Sequence, residues 1–351
     1  MKKRIAFLAV LAFVLTLLAG CAGTTVIYTN QCTCPTGGHT NTPNTPETPV
    51  VGEGSVKTGL AIVTSIKNSQ DATVADYDLT IVAVNVDDEG VITDCVIDSV
   101  GTKVNFDATG KITSDLNTQV QTKNELGDAY GMVGAGAKYE WYQQAEALAN
   151  FAVGKTVAQL KSGAIDETGK APAGSDLAST ATIYLGGYVA AIEEAVKNAA
   201  HLGAQAGDEL RLVVKNSLGS SKSATAEKAG AAQLDSTAMA LNVKDGVITA
   251  CAIDAVQAKV SFDATGKITT DLTAQVLTKN QLGDAYGMVG AGAKYEWYQQ
   301  AASFGKYVTG KTAEQVAGIA VSQGKPTDAD LAATVTIAIG DFQELIAKAF
   351  A

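Results

Sequence analysis

Histidine is scarce in this chain of 351 residues, which contains only His39 and His201. Neither residue has a counterpart in the internal repeat described below. A catalytic triad that depends on histidine, or a histidine-rich metal centre, is therefore excluded as the basis of function.

Positive charge is also in short supply. The chain has 26 Lys and Arg against 36 Asp and Glu, which gives a formal net charge of −10. After residues 2–4 it contains no basic block. Binding to nucleic acid, which needs clustered Lys and Arg to neutralise phosphates, is therefore disfavoured.

The N-terminus carries a hydrophobic run, residues 5–18, which is interrupted only by Thr16 and follows the basic residues 2–4. It is shorter than the roughly 20 residues of a spanning helix and ends in Leu-Ala-Gly-Cys. This pattern resembles a bacterial lipoprotein signal. It implies that residues 1–20 are removed as a signal peptide and that Cys21 receives the lipid anchor. Two alternatives remain: a short membrane anchor with an incidental cysteine, and release of residues 13–20 (FVLTLLAG) as a pheromone-like octapeptide.

Residues 21–54 contain four of the six prolines, many Thr and Asn, and few side chains to bury. This composition predicts a disordered, lipidated tether. Cys32 and Cys34 lie within it, with His39 nearby, and no fourth ligand completes a zinc site. We interpret this pair as incidental, with metal binding or a strained bridge as the alternatives.

A copied block dominates the remaining sequence. Residues 122–144 and 278–300 agree at 22 of 23 positions, and the difference is Glu125 against Gln281. The block is rich in Gly, Asn, Asp and Tyr, which a packing surface does not require. It is the best candidate for a ligand site, and the alternative is a recent duplication that has not yet diverged there.

The same offset of 156 residues joins Cys95 to Cys251, so a whole domain is duplicated. We predict repeats at residues 55–200 and 201–351, each of ordinary single-core size. Both cysteines lie in apolar segments typical of strands, and we expect them to be buried and unpaired.

Each repeat predicts an α+β fold in which an antiparallel sheet packs against helices. Runs rich in Ile, Val and Thr, separated by turn sequences such as Lys244-Asp245-Gly246, predict a three-stranded meander. Apolar residues spaced by three and four, starting at Trp141 and Trp297, predict one amphipathic helix per repeat. The following Gly-Lys-Thr lacks the upstream glycine of a phosphate loop and predicts a helix stop and a Thr cap.

The two repeats end alike, in DLASTATIYLGGYVAAIEEAVKNA and DLAATVTIAIGDFQELIAKAF. Residues 180–185 alternate polar and apolar and predict a two-faced strand, with Thr180 and Thr182 turned away from the aliphatic side. Residues 334–339 predict the same strand in the second repeat, with Thr334 and Thr336 turned away. On the period alone these threonines need be no more than strand residues on a solvated face. A terminal helix follows in each repeat, and Asp341 with Glu344 predicts a cap for the second one.

The ordered set of these features resembles the FMN-binding domain. The shared features are the meander ending in DDEGVITDCVIDSV, the Glu-Leu-Gly loop, the Trp-bearing helix, the phrase VGKTV and the D-x-x-S-T-A-T-I segment before a terminal helix. That domain occurs in flavin-carrying subunits of the sodium-pumping NADH:quinone oxidoreductase and the Rnf complex, and in tandem in lipoproteins of extracellular electron transfer. The resemblance covers residues 55–351.

The resemblance implies that a flavin transferase joins FMN through its phosphate to the last threonine of D-x-x-S-G-A-T. By position the acceptors are Thr182 and Thr336. The resemblance also implies that the transferase recognises Asp176 and Asp330. The family glycine is threonine here, at Thr180 and Thr334, which are also alternative acceptors. The second copy departs further, with Ala333 for Ser and Val335 for Ala.

If the chain carries FMN, we expect the flavin ring to lie on the copied block, because aromatic and Met side chains pack on planar rings and Gly-rich backbone can approach their polar edge closely. On this hypothesis the charge of Glu125, absent from Gln281, separates the two reduction potentials. The expected ring-site residues are Asn124, Glu125, Leu126, Gly127, Tyr130, Gly131 and Met132 in the first repeat, and Asn280, Gln281, Leu282, Gly283, Tyr286, Gly287 and Met288 in the second.

The sequence thus predicts an FMN-carrying lipoprotein on the outer face of a bacterial cytoplasmic membrane. Its expected partners are membrane lipid, a flavin transferase, a membrane electron donor and an extracellular acceptor. No proton-abstracting or nucleophilic centre is visible, so we expect an electron carrier more than an enzyme with its own substrate. The alternative is a surface lipoprotein whose duplicated pocket binds a small extracellular ligand without redox chemistry.

Overall fold

Each repeat begins with three antiparallel strands in sequence order. The computed structural model describes residues 54–351; the predicted signal, Cys21 and almost all of the tether lie outside the described residues. The first sheet has the order β1-β2-β3 and the second β4-β5-β6, so the predicted α+β architecture with antiparallel meanders is confirmed. The strands are β1 (Lys57–Ser65), β2 (Val74–Val86), β3 (Ile92–Asn105), β4 (Glu209–Ser217), β5 (Gly230–Lys244) and β6 (Val247–Phe262).

Helices follow each meander in the same order. The helices of the first repeat are α1 (Lys123–Leu126), α2 (Trp141–Ala152), α3 (Val157–Ala164), α4 (Asp176–Thr180) and α5 (Gly186–Lys197). Those of the second are α6 (Lys279–Leu282), α7 (Trp297–Val308), α8 (Ala313–Ala317), α9 (Ala329–Ala332) and α10 (Gly340–Ala349), with a small hairpin of β7 (Val321–Ser322) and β8 (Lys325–Pro326) before α9. Short 3-10 turns, Gly127–Tyr130 and Gly283–Tyr286, follow α1 and α6. No helix among the described residues has the length and apolar character needed to cross a membrane.

Alternate residues of the central strands face two different cores. On β2, Leu79, Ile81 and Ala83 join a core that also contains residues of the second sheet. Val82 and Val84 point the other way, into a core built with α2 and α5. The second repeat has its own helix-side core in the same way. The molecule is therefore layered as helices, sheet, sheet, helices, and its central core is shared by both repeats.

This shared core corrects the expectation of two globular domains that each hold a single core. Residues 54–351 belong to one compact unit, in which strands of one sheet contact strands of the other. The reason is the burial of both sheet faces: a two-sided apolar strand needs a covering layer on each side. One repeat supplies helices for only one of those sides.

Reciprocal contacts relate the repeats by an approximate twofold axis. The rings of Phe106 and Phe262, equivalent residues, stack with centroids 4.1 Å apart and planes 2° apart. Ala72 N–H donates to the Gly266 carbonyl, and in the swapped sense Ala224 N–H donates to the Gly110 carbonyl. The sheets thus meet through equivalent surfaces, as two subunits of a symmetric dimer do.

A closed set of buried polar groups also crosses the junction. Asn85 donates to Asn242 (2.6 Å), Asn242 donates to Thr58 (2.7 Å), and Thr58 donates to Asn85 (3.3 Å). None of the three is more than 2% exposed. These bonds fix the position of one sheet against the other. A shift between the sheets would leave the buried amides without partners and would lower the stability by about 1–3 kcal/mol for each.

Several local predictions are confirmed. Asp245 and Gly246 have φ of 51° and 77° at the β5–β6 hairpin, as a two-residue turn of this sequence requires. Thr156 caps α3 by accepting from Gln159 N–H, so Gly-Lys-Thr is a helix stop followed by a cap. Cys95 and Cys251 are buried and unpaired. Burial raises the pKa of the Cys95 thiol to about 12, which makes it unreactive.

The strands predicted at residues 180–185 and 334–339 are wrong, because neither range forms a strand. Residues 176–180 form α4, and an extended segment outside any sheet leads from there into α5. The Ser175 hydroxyl accepts from Ala178 N–H, and the Thr180 hydroxyl donates to the Leu177 carbonyl. This N-cap and side-chain-to-backbone bonding outweigh the strand propensity of the Thr-rich sequence.

The cap predicted at Asp341 is also wrong. No side chain from the described residues caps α10, whose N-cap position is Ile339. Asp341 and Glu344 instead pair with Lys215 of β4, the first at 2.6 Å. The spacing of three that resembles a capping box also puts both carboxylates on one helix face, where a single ammonium reaches them.

Because the core is shared, both repeats are expected to unfold together. Each repeat holds one of the two tryptophans, so Trp141→Phe and Trp297→Phe leave one fluorescent reporter in one repeat. In each variant, urea unfolding followed by tryptophan fluorescence and by far-UV circular dichroism should give the same midpoint. Phe106→Ala should lower the unfolding free energy by about 3–5 kcal/mol and shift both signals equally.

The exposed Val321 of β7 is the matched control. Val321→Ala should change the unfolding free energy by less than about 0.5 kcal/mol. A fluorescence midpoint that separates from the dichroism midpoint in either single-tryptophan variant would show that the repeats unfold independently.

Candidate functional site

The copied block starts with a capped single-turn helix. Thr122 accepts from Glu125 N–H while the Glu125 carboxylate accepts from Thr122 N–H, which completes a capping box. Gln281 and Thr278 make the same box in the second repeat. Position 125 or 281 therefore has a structural role in both copies, which either a carboxylate or an amide oxygen fulfils.

Glycine shapes the turn that follows. Gly127 has φ 50° and ψ −126°, a conformation that only glycine adopts readily, and Gly283 repeats it with φ 52°. Leu126 and Leu282, half-buried, precede these glycines, and Gly131 and Gly287 end the 3-10 turns with φ 84°. These predicted ring-site residues fix the path of the backbone.

A buried carboxylate ties the block to the sheet. Asp98 Oδ1 on β3 accepts from Ser99 N–H (2.7 Å) and from Asn124 N–H (3.1 Å), and the Thr122 hydroxyl also bonds to this carboxylate. Asp254 makes the corresponding bonds to Ala255, Asn280 and Thr278. Burial raises the pKa of each carboxyl from 3.8 to about 6, against the opposing effect of these hydrogen bonds.

Asn124 and Asn280 are part of the same anchor. Each side-chain amide donates to a strand carbonyl 2.9 Å away, Ile97 or Ile253. Their N–H donors are thus engaged with the sheet. The structure gives these two predicted ring-site residues a role in holding the block.

A second buried acid holds the glycine-rich loop. Both oxygens of Glu140 accept backbone N–H groups, from Met132 at 2.8 Å and Val133 at 2.9 Å, and the residue is 5% exposed. Glu296 holds Met288 and Val289 at 2.9 and 2.8 Å. Each glutamate also caps the following helix through Gln143 or Gln299. Sequence reasoning did not identify these acids, although both lie within the copied block.

A lysine lies between two aromatic rings in each block. Lys279 Nζ is 5.0 Å from the centroid of Tyr286 and 4.9 Å from that of Trp297. Lys123 stands 5.1 Å from both Tyr130 and Trp141. These distances are those of cation–π contacts. The lysines were not predicted as site residues.

In the second repeat this cluster opens into a groove of about 350 Å³, within the usual size of small-molecule sites. We call it the aromatic groove. Of the predicted ring-site residues, Tyr286 and Met288 line it, whereas Asn280 and Gln281 do not. Its walls include Thr237, Lys279, Tyr286, Met288, Trp297, Ile337, Ala338, Asp341 and Phe342.

The single difference between the blocks faces the other repeat. Glu125 pairs with Lys348 of α10, while Gln281 Nε2 donates to Glu194 of α5 at 3.4 Å. Lys348 and Glu194 are equivalent positions on the two terminal helices. A glutamate at position 281 would be repelled by Glu194. The uncharged Gln281 therefore suits the acidic partner of the second block, as the charged Glu125 suits the basic partner of the first.

The predicted acceptor threonines lie directly against the block. The Gln144 side-chain oxygen accepts from Thr182 N–H at 2.8 Å, from Ile183 N–H at 3.1 Å and from the Thr182 hydroxyl at 3.2 Å. Gln300 binds Thr336 and Ile337 in the same way. Both glutamines are 0% exposed. They were not predicted, although they end the copied block.

Thr182 is exposed and Thr336 half-exposed. Lys138 of the block donates to the Ser179 carbonyl at 3.3 Å, and Lys294 donates to the Ala333 carbonyl at 3.1 Å. In both repeats, a lysine of the block thus binds the backbone carbonyl three residues before the threonine. Asp176 and Asp330 are exposed at the start of α4 and α9. The structure therefore brings together the threonine segments and the copied blocks, which lie far apart in the sequence.

Comparison of the chain with models of protein families, with characterised proteins and with solved structures finds no match. Among the described residues no group of three His, Cys, Asp or Glu is arranged to hold a metal ion.

The raised pKa values predict a specific pH dependence. A carboxyl with a pKa of about 6 in the folded state and 3.8 when unfolded binds its proton more tightly in the folded protein. Its contribution to stability is therefore full below about pH 3.8 and is lost as the pH rises to about 6 and above. Between pH 7.5 and 5, the wild type should gain stability, on the order of 1–2 kcal/mol per carboxyl.

Asp98→Asn with Asp254→Asn is the test of this dependence. The doubly substituted protein should show a flatter change of urea midpoint between pH 7.5 and 5 than the wild type, because both titrating groups are gone. Equal slopes in the two proteins would contradict the assignment.

Proposed function

We propose that this protein is a lipid-anchored extracytoplasmic flavoprotein that carries electrons through FMN, held in each of its two repeats. One observation carries the proposal. The threonines that the family resemblance marks as flavin acceptors, Thr182 and Thr336, are both held by the final glutamine of the copied block, the stretch proposed to bind the ring. Attachment point and ring site are thereby adjacent in both repeats.

The surroundings of Thr182 suit a phosphate group. Thr182 is an exposed residue, and α5 begins four residues after it. The ammonium group of Lys138 donates to the backbone carbonyl three residues before Thr182. No side chain of the described residues caps α5. Gly186 N–H donates to the Gly169 carbonyl, so the N–H groups of the first turn that stay available to an anion are those of Gly187 and Tyr188. Gly187 in the first turn leaves room for such an approach.

The second repeat is less favourable to a phosphate. Asp341, which is equivalent to Gly187, lies in the first turn of α10, where its negative charge would repel a phosphate. Its ion pair with Lys215 offsets part of this repulsion. We therefore propose Thr182 as the principal acceptor and Thr336 as the weaker one.

Threonine in place of the family glycine does not count against attachment here. Thr180 is the last residue of α4 and is not among the residues with positive φ. Its position requires no glycine, and its hydroxyl is bonded to the Leu177 carbonyl. Thr180 is half-buried whereas Thr182 is exposed, which favours Thr182 over Thr180 as acceptor.

The aromatic groove suits the planar ring. Tyr286, Trp297 and Met288 offer apolar and polarisable surface, and Lys279 brings a positive charge. Bound FMN supplies reversible electron transfer, for which the protein provides position and electrostatics. A cation beside the ring favours the anionic reduced form, so Lys123 and Lys279 are proposed to raise the reduction potentials. This role replaces the one first ascribed to Glu125, whose charge pairs with Lys348.

On this proposal each repeat has the FMN-binding-domain fold, and the protein acts as a carrier without a substrate of its own. Cys21 holds it in the membrane, residues 22–54 form the tether, and a membrane donor and an extracellular acceptor exchange electrons with it.

A small-molecule receptor remains the second candidate. In the aromatic groove Lys279 and Asp341 present opposite charges, which suits a zwitterionic ligand such as an amino acid. Absorbance in the flavin bands of the purified protein separates the two candidates, because a receptor without redox chemistry carries no flavin.

The first test of the proposal is covalent flavin. After coexpression with a flavin transferase, intact mass should show one or two FMN groups, and peptide mapping should place the main adduct on Thr182. Thr182→Ala should remove that adduct, because the hydroxyl is the attachment point. Thr180→Ala is the matched control and should keep it. A wild-type protein without any adduct under these conditions would contradict covalent attachment.

The second test concerns the anchor, which lies outside the described residues. Wild-type protein should partition with the membrane fraction, and Cys21→Ala should leave it because the thioether cannot form. The released form should still accept electrons from a chemical reductant. Retention of Cys21→Ala in washed membranes at the wild-type level would disprove lipid anchoring at this residue.

A further inference from the structure

We propose that Gln144 and Gln300 are positioning residues that hold the hydroxyls of Thr182 and Thr336 for attack on a phosphoryl group. This inference rests on the proposed function and adds to it the part of the chain that prepares the acceptor. It assigns a role in modification to residues that lie 38 and 36 positions away from the threonines they serve.

The contact fixes three groups with one oxygen. Gln144 Oε1 accepts the backbone N–H groups of Thr182 and Ile183 and the Thr182 hydroxyl, at 2.8, 3.1 and 3.2 Å. The two N–H bonds set the backbone of the acceptor, and the third sets the rotation of its side chain. An exposed threonine is thus held in one conformation.

The other end of the amide is fixed as well. Gln144 Nε2 donates to the Tyr139 carbonyl at 3.0 Å, and Gln300 Nε2 donates to Tyr295 at 2.8 Å. Each glutamine is fully buried, so the amide has no freedom to turn towards solvent. A side-chain amide provides the acceptor for the threonine segment and the donor for the carbonyl behind it at the same time.

The two repeats provide an internal comparison. Their acceptor segments, residues 176–182 and 330–336, differ at Ser179/Ala333 and at Ala181/Val335. The three bonds to Gln300 nevertheless measure 2.8, 3.2 and 3.2 Å, within 0.1 Å of those to Gln144. The glutamine contact is retained although its neighbours have changed.

The geometry leaves the reactive part of the hydroxyl free. The single hydroxyl hydrogen is donated to Gln144, so the oxygen lone pairs face away from the buried amide. In the transfer, a bond forms between Thr182 Oγ1 and a phosphorus of flavin adenine dinucleotide, and the phosphoanhydride bond breaks with AMP leaving. An amide is not a base, so the proton cannot pass to Gln144. Rotation about the Cβ–Oγ1 bond, which leaves Oγ1 in place, turns the hydroxyl hydrogen towards a base of the transferase, and that base takes the proton.

The test measures adduct formation in the full-length protein with purified transferase and flavin adenine dinucleotide. Gln144→Met removes the acceptor while it keeps the side-chain length and burial. The rate of adduct formation on Thr182 should fall roughly tenfold or more through kcat, because the threonine loses its fixed orientation. The KM for flavin adenine dinucleotide should not change. Gln300→Met should affect Thr336 in the same way.

Three controls separate positioning from folding. Gln121→Met, at an exposed glutamine directly before the copied block, should react at the wild-type rate. Gln144→Glu keeps an acceptor oxygen and should react faster than Gln144→Met. In the Gln144→Met protein, the far-UV spectrum should remain native, and Thr336 should react at its wild-type rate, which reports on the integrity of the molecule.

The outcomes distinguish this inference from the proposed function. Modification of Thr182 at the wild-type rate in folded Gln144→Met would overturn the positioning role and leave the flavoprotein proposal intact. Absence of any adduct from the wild type would overturn covalent attachment, and the positioning role with it. An equal loss at both threonines in Gln144→Met would point to general unfolding and would also contradict the inference.

Discussion

The face-to-face packing of two three-stranded sheets is the constraint on which the rest of the molecule depends. A three-stranded meander has two apolar faces here, and the helices of one repeat cover only one of them. The other face is removed from water by the sheet of the second repeat, with Phe106 stacked on Phe262 at the centre. The hydrophobic effect therefore joins the repeats, and the buried Asn85, Asn242 and Thr58 fix the register at which they join.

The copied block depends in turn on that sheet. Asp98 fastens its beginning to β3, Glu140 closes its glycine-rich loop, and Gln144 reaches from its end to the threonine segment. Three buried polar side chains thus organise a surface on which small residues, Tyr130 and Lys138 are exposed together with the acids Glu125 and Asp128. A near-identical stretch of this kind combines a scaffold and a surface, which explains why so many of its residues have backbone partners.

The sequence was sufficient for the strands, the amphipathic helices, the Gly-Lys-Thr stop and the buried cysteines, because local period and turn chemistry determine these features. It was not sufficient where long-range packing decides. The apolar residues of β2 alternate between two cores, and periodicity does not tell whether helices or a second sheet cover a face. The threonine segment was predicted as a strand because its propensity is right for one, whereas a serine cap makes part of it α4. The role of Gln144 depends on a partner 38 residues away in the sequence, and that of Glu140 on the path of a glycine-rich loop. Neither is readable from local sequence, so only the repetition of these residues in both blocks singled them out.

The crossed contacts of the terminal helices have a consequence for how the gene can evolve. Glu125 meets Lys348, and Gln281 meets Glu194. Two copies of the first repeat alone would set Glu125 against Glu194, and two copies of the second would set Gln281 against Lys348, without the ion pair. The two repeats are thus complementary in the way that the subunits of a heterodimer are. The Glu125–Lys348 ion pair forms between the two repeats, and two copies of either repeat alone would lack it. Once such a pair is established, loss or exchange of either half by recombination between the near-identical blocks leaves a product with mismatched partners.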